Sequence, residues 1–191
     1  MDQRDKDWLA RYRHGDVGAL GEMVEHYRRP LFGFILKMTE GRDEAEDIFQ
    51  EVWIRAIRHL DTFEERRFLS WLFRIAHNLI IDRARKKKPD ASLQDTRDDQ
   101  PALEEHTASR APTPSDDAEH ADMKRQIMTA VNRLPPDQKA VFLMRMDGDL
   151  SFKEIARIQD VSINTALARM QYALDKLRHD LAQEYATLSR N

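Results

Sequence analysis

The 34-residue stretch from Pro89 to Asp122, PDASLQDTRDDQPALEEHTASRAPTPSDDAEHAD, constrains the chain more than any other. It holds four of the seven prolines, ten acidic residues against two basic ones, and few large apolar side chains. Such a segment buries too little surface to offset the entropy of ordering it. It reads as a flexible acidic linker, with at most a helical turn around Leu103. The 191 residues then divide into two pieces, 1–88 and 123–191, each the size of one small domain.

The same division explains the charge. The whole chain carries −3, but residues 1–88 hold 18 Lys/Arg against 16 Asp/Glu, and residues 123–191 hold 11 against 8. Two mildly basic blocks flank an acidic one, and the mean hides them. There is no cysteine, which removes disulfides, thiolate zinc sites and thiol redox chemistry. The start, MDQRDKDWLARYRHGD, lacks the apolar core of a signal peptide, and no run of 18 apolar residues follows. The expectation is a cytoplasmic chain without membrane insertion.

Both blocks read as all-α. From Glu44 to Leu60, apolar residues fall at Ala45, Ile48, Phe49, Val52, Trp53, Ala56, Ile57 and Leu60, the steps of three and four of one helical stripe. Phe68, Leu69, Leu72, Phe73, Ala76, Leu79 and Ile80 repeat the pattern. Val17 to Met38 is helical as well, with Pro30 either dividing it or opening a second helix. Gly41 and Asp43 end one helix and cap the next. In the second block, a helix covers about Met123 to Leu134 and stops at LPPDQ. Asp137 caps a second through about Met146, Ser151 a third, FKEIARIQ, and Ser162 a fourth through about Leu181. On the fourth, Ile163, Leu167, Met170, Leu174, Leu177 and Leu181 predict the buried seam.

The stretch LSFKEIARIQDVSINTALARM, two short helices around a tight turn, has the shape of a helix-turn-helix. With the seam as given, Asn164, Thr165, Ala168, Arg169 and Tyr172 face outward. A carboxamide pairs with the edge of adenine, a guanidinium with guanine, and the methyls of Ala168 or Thr165 touch that of thymine. Ser162 and the helix's first amides suit a phosphate. A plain helical hairpin with a solvated face would show the same pattern. Catalysis has little support: His59, His77 and His106 lack partners at metal-ligand spacing, and neither a glycine-rich phosphate loop nor a nucleophile motif is present. No cofactor, metal or catalytic residue is expected.

The two blocks together decide the reading. EAEDIFQEVWIRAIRHLDTF with FLSWLFRIAHNLIIDRARKKK resembles region two of bacterial sigma factors, and LPPDQKAVFLMRMDGDLSFKEIARIQDVSINTALARMQYALDKLR resembles their region four. The order is right, and nothing is left for the domain that larger members carry between them. The chain therefore resembles an extracytoplasmic-function sigma factor of the sigma-70 family, over about Asp16 to Lys88 and Met123 to Leu181. The resemblance implies a transcription initiation factor, not an enzyme, that binds core RNA polymerase and promoter DNA.

Site roles follow from that resemblance. Glu46, Asp47, Gln50 and Glu51 correspond to the helix that docks on the clamp helices of the largest polymerase subunit, with Ile48, Phe49 and Val52 inward or at the contact. Region four meets the flap of the second-largest subunit. The loop DTFEERR corresponds to the one that captures a flipped −10 base, for which Phe63 and Arg66 or Arg67 supply stacking and edge contacts; Phe63 has core packing as its alternative. Ser70, Arg74, His77, Asn78 and Ile81 face the melted −10 strand, and Arg83, Arg85, Lys86, Lys87 and Lys88 form a phosphate tract. Ser162, Asn164, Thr165, Ala168, Arg169 and Tyr172 read the −35 duplex. Family members often carry lysine at Leu167, a basic residue at Tyr172 and glycine at Asn164, so this −35 reader is less basic than usual. Family members are usually held by an anti-sigma factor. The alternatives are a helix-turn-helix regulator acting without polymerase and a decoy that binds an anti-sigma factor.

Overall fold

The computed structural model describes residues 2–64, 67–87 and 116–188, and every regular element among them is an α-helix. The N-terminal domain comprises α1 (Gln3–Arg13), α2 (Val17–Met38), α3 (Arg42–His59) and α4 (Phe68–Lys87). The C-terminal domain comprises α5 (Asp116–Asn132), α6 (Pro136–Met146), α7 (Phe152–Ile158) and α8 (Ile163–Leu188). Most of the expected linker, with Leu103, lies outside the described residues. Its last seven residues open α5 rather than ending the linker.

The stripes meet where their periodicity requires. Leu31, Phe34 and Ile35 of α2, Ile48 and Val52 of α3, and Phe68, Leu72 and Phe73 of α4 make one core. Phe63, Phe68, Trp71 and Tyr27 extend it as a chain of tilted and edge-on rings. The helix α1, unforeseen from the pattern, is pinned to α2. Trp8 Nε1 and Arg11 both donate to Glu22, and the buried Tyr27 hydroxyl donates to Asp5.

Two local readings in the N-terminal domain need correction. Pro30 lies inside α2, which runs unbroken through it. The interruption costs about 3 kcal/mol, while each buried Leu or Phe on either side contributes about 1.5–3 kcal/mol. Tyr27, Leu31, Phe34 and Ile35 together outweigh the proline. At α3, Gly41 is the N-cap in extended geometry, and Asp43 sits in the first turn, where its charge suits the helix dipole.

In the C-terminal domain, Ser151 caps α7 through a full capping box. Its Oγ accepts from the Glu154 amide, and Glu154 reaches back to the Ser151 amide at 2.8 Å. Asp160 takes a left-handed φ of 53° after α7, and the Val161 amide returns to Ala156 O at 2.9 Å. Ser162 then caps α8, accepting from the Thr165 amide at 3.0 Å. Asp137 is not a cap: Pro135 holds that position, and the Asp137 carboxylate binds Arg169 instead. The seam of α8 matches expectation at Met170, Leu177 and Leu181 and departs from it at its start. Ala166, Met170, Ala173, Leu177 and Leu181 pack inward, whereas Ile163 and Leu167 are 45% and 44% exposed.

The two domains touch. Lys37 Nζ of α2 binds both oxygens of Asp147 at 2.9 and 3.0 Å. Arg67, just before α4, donates to the carbonyls of Asp149 at 2.8 Å and Gly148 at 3.1 Å. Gly148 is buried against Phe73, whose ring would stand 2.9 Å from an added Cβ.

Candidate polymerase and promoter-DNA interfaces

Three surfaces carry the expected site residues. The first is the outer face of α3. Ile48 and Val52 are buried and Phe49 is half-buried, which turns Glu46, Asp47 and Gln50 to solvent. Glu46 pairs with Arg42 and Glu51 with Arg55 along the helix. The Arg55 contact holds the Glu51 carboxyl below the usual range. Asp47 and Gln50 continue at helical spacing to Ile54 and Ile57, which are exposed. Spacing alone assigns Ile57 to the core stripe, and the structure corrects that. An acidic edge beside two bare isoleucines has the composition of a protein contact. The sequence carries the signal in the steps 47, 50, 54 and 57, but an isoleucine on a helix reads as core by default.

The second surface runs from the loop after α3 along α4. Arg13 of α1 donates to the carbonyls of Leu60 and Phe63 and so fixes the start of this loop. Phe63 is 5% exposed and packs on Phe68 and Trp71, so its ring is used in the core and is not offered to a base in this arrangement. Arg66 lies outside the described residues. Arg67 is occupied by the α6–α7 turn. Ser70 and Arg74 are half-buried and Asn78 is exposed, on one line of α4 that continues to Ile81 and Arg85. His77 is buried, with neither ring nitrogen in a well-formed hydrogen bond. Burial holds its pKa below the ordinary imidazole value, with Asp137 and the neighbouring Asn78 pulling the other way.

The basic end of α4 splits. Arg85 and Lys86 are exposed. Lys87 is drawn to Glu44 and Glu40 at 3.0 and 3.2 Å, and those bonds raise its pKa. Arg83 is half-buried and within electrostatic reach of Glu51. Lys88 lies outside the described residues.

The third surface is the start of α8. Ser162, Asn164, Thr165 and Ala168 are exposed, and Tyr172 is 62% exposed. The hydroxyls of Ser162 and Thr165 bond each other at 2.8 Å, which ties both to the cap. Arg169 differs: its side chain is 25% exposed and braces three helices. It meets Asp137 of α6 at 2.6 Å and donates to Gln159, after α7, at 2.8 Å. Exposed Ile163 and Leu167 join the face instead. Lys153 and Arg157, one turn apart on α7, are exposed. That is where the first helix of such a motif crosses the DNA backbone. Their spacing is legible in the sequence, though the base-reading chemistry of the second helix overshadows it.

No helix among the described residues is long and apolar enough to cross a membrane, and no group of metal-ligating side chains occurs among them. The Sigma-70 region 2 family matches residues 23–89, and the Sigma-70 region 4 family matches residues 124–177. The chain is 31% identical over 184 residues to the ECF RNA polymerase sigma factor SigW of Bacillus subtilis, covering 95% of this chain and 98% of that one. The chain belongs to the extracytoplasmic-function RNA polymerase sigma factors. It is a non-enzymatic transcription initiation factor that directs RNA polymerase to promoters. The fold is similar to that of CnrH in complex with the cytosolic domain of CnrY, at TM-score 0.66 and 20% identity over 95% and 99% of the two chains. It is equally similar, at TM-score 0.66 and 22% identity over 87% and 98%, to RpoE in complex with the anti-sigma factor NepR from Bartonella quintana. The helical architecture in two regions expected from the sequence is what these comparisons show.

Proposed function

We propose that this sigma factor loads onto core polymerase through α3 and reads its promoter in two physical forms, duplex at −35 and melted strand at −10. Asp47, Gln50, Ile54 and Ile57 form the α3 contact, on the clamp helices of the largest subunit, and the C-terminal domain meets the flap of the second-largest. At −35, Asn164, Ala168 and Tyr172 supply groove contacts, while Lys153 and Arg157 hold phosphates on one side. At −10, Asn78, Arg74 and Ser70 line the path of the single strand, with Arg67 at its entrance and Arg85 and Lys86 on the backbone beyond. The polar line on α4 carries the reading. Asn78 is an exposed carboxamide on a helix otherwise buried around it. Such a group suits the Watson–Crick edge of an unpaired base, which duplex DNA does not expose.

An anti-sigma factor is the expected regulator. CnrH and RpoE, which share the fold, are described in complex with CnrY and NepR. The working compartment is the cytoplasm, where polymerase and promoter meet.

The test compares Asn78→Ala with wild type on a duplex promoter and on the same promoter carrying a pre-melted bubble at −10. The expected result is slow opening on the duplex, read by permanganate reactivity of unpaired thymines, and partial rescue on the bubble. Equal defects on both templates would place Asn78 outside strand capture.

A further inference from the structure

We propose that α1 is a positioning element for the −10 reader: through Arg13 and Asp5 it grips both ends of the loop between α3 and α4 and so sets which unpaired base that loop accepts. The inference rests on the reading of this loop as the one that captures a −10 base.

The core uses little of α1. Of its eleven residues, Trp8 and Leu9 are the buried apolar side chains, with Tyr12 half-buried beside them. Trp8 and Arg11 bond Glu22, and Arg11 also meets Asp16, which fastens α1 to α2. Two further polar side chains, Asp5 and Arg13, lead to the loop.

Arg13 acts at the start of the loop. There α3 ends, and its last carbonyls lose their helical partners. The Arg13 guanidinium donates to the carbonyls of Leu60 at 3.4 Å and Phe63 at 3.0 Å. Its charge also suits the C-terminal end of the α3 dipole. Arg13 stands 47 and 50 residues away in the chain, so this is a tertiary clamp and not a local cap.

Asp5 acts at the far end, where α4 begins at Phe68. Its buried carboxylate accepts from the Tyr27 hydroxyl. Burial, and then the bond to Asp5, raise the Tyr27 pKa, so the hydroxyl remains the donor. That bond fixes a ring whose centre lies 5.3 Å from that of Phe68, which in turn lies 5.1 Å from Phe63. A buried carboxylate is costly unless bonded, and a satisfied buried pair favours one arrangement over its neighbours.

Both routes from α1 end on Phe63. Its carbonyl is held by Arg13 and its ring by Phe68 and by Trp71 at 4.7 Å. A flipped base needs a pocket of fixed shape, and a loop ordered beforehand spends no binding energy on ordering. Arg13 spends its guanidinium on carbonyls and acts through the backbone that they belong to.

The test uses the full chain bound to core polymerase. The probe is a pool of single-stranded DNA randomised across the −10 positions, and sequencing of the bound fraction gives the preference at each position. Helicity and melting are measured for every variant. Arg13 is exposed, so its removal leaves the core intact. Arg13→Ala should lower the preference at one −10 position about tenfold, the effect of refixing the backbone of about one residue on binding. The other positions should keep theirs. Arg13→Lys keeps the charge and a donor for the Phe63 carbonyl, and should restore most of the loss. Tyr27→Phe keeps the ring but not the bond, and should blur the same position. Asp5→Asn still accepts from Tyr27 and should behave as wild type.

Preference unchanged at every position in Arg13→Ala would overturn the positioning role and leave the −10 reading intact. A fall in affinity shared by all sequences would do the same, because it marks a phosphate contact or a weakened domain. A lysine no better than alanine would overturn the carbonyl bond as the cause. A wild-type chain that selects no base from the pool would sink the −10 reading itself, and the proposal with it.

Discussion

Arg169 offers the sharpest separation between reading DNA and holding a fold. Its guanidinium ties α6 to α8 through Asp137 at 2.6 Å, and ties in Gln159 at 2.8 Å. Gln159 in turn donates to the Asp137 carbonyl at 3.1 Å, which closes a triangle of three contacts. Asp137 is half exposed, so water recovers part of its loss when Arg169 is removed. The ion pair is then worth about 0.5–1 kcal/mol, and the bond to Gln159 adds a similar amount. Arg169→Ala should cost about 1–2 kcal/mol, or about 5–15 °C in the melting of a domain this small. Asp137→Ala should cost less, and the double variant little more than Arg169→Ala, giving a coupling of about 0.5–1 kcal/mol. Circular dichroism melts of the four proteins measure this directly. Transcription across a randomised −35 library should then show Arg169→Ala weakening all sequences alike with an unchanged preference. A melting temperature within about 2 °C of wild type, together with a preference lost at one position, would refute the brace and make Arg169 a base reader worth about 1–3 kcal/mol.

Other outcomes follow from the same geometry. Asp47→Ala with Gln50→Ala should weaken binding to core polymerase without loss of helicity, since both side chains are exposed and make no core contact; an affinity within about twofold, under about 0.4 kcal/mol, would remove this face from the interface. Ser151→Ala breaks the capping box and should lower stability by about 1 kcal/mol in denaturant titration. His77 is buried and its pKa is depressed, so the unfolded chain binds more protons near pH 6.5 than the folded one. Its contribution to stability is therefore complete above that value and is lost as pH falls through the lower, folded pKa. His77→Leu should flatten this slope in melts between neutral and mildly acidic pH.

What the sequence makes legible is local. The caps at Ser151 and Ser162 are readable because both partners of each bond lie within three residues. The core stripes of α3 and α4 are readable, Ile57 apart, because Phe, Trp and Ile recur at helical steps. The seam of α8 holds at Met170, Leu177 and Leu181 but slips at its start, where two adjacent stripes compete. Ile163 and Leu167 outweigh Ala166 in hydrophobicity, yet close helix packing takes the alanine and leaves the larger residues out. Pro30 misleads because a local rule about one lost hydrogen bond says nothing of the core on either side. Arg169 and Asp137 stand 32 positions apart, and Lys37 and Asp147 stand 110 apart. No periodicity encodes such pairs, so the inward brace of Arg169 and the contact between domains lie beyond a reading of the chain.

Run-off transcription with purified core polymerase, over a library randomised at both promoter elements, tests the account most directly. The chain should confer initiation that core alone lacks, with selected sequences at −35 and at −10 separated by a fixed spacer. Asn78→Ala should blur the −10 preference and leave −35 intact. A chain that binds duplex DNA unaided yet adds no promoter-specific transcript to core polymerase would contradict it.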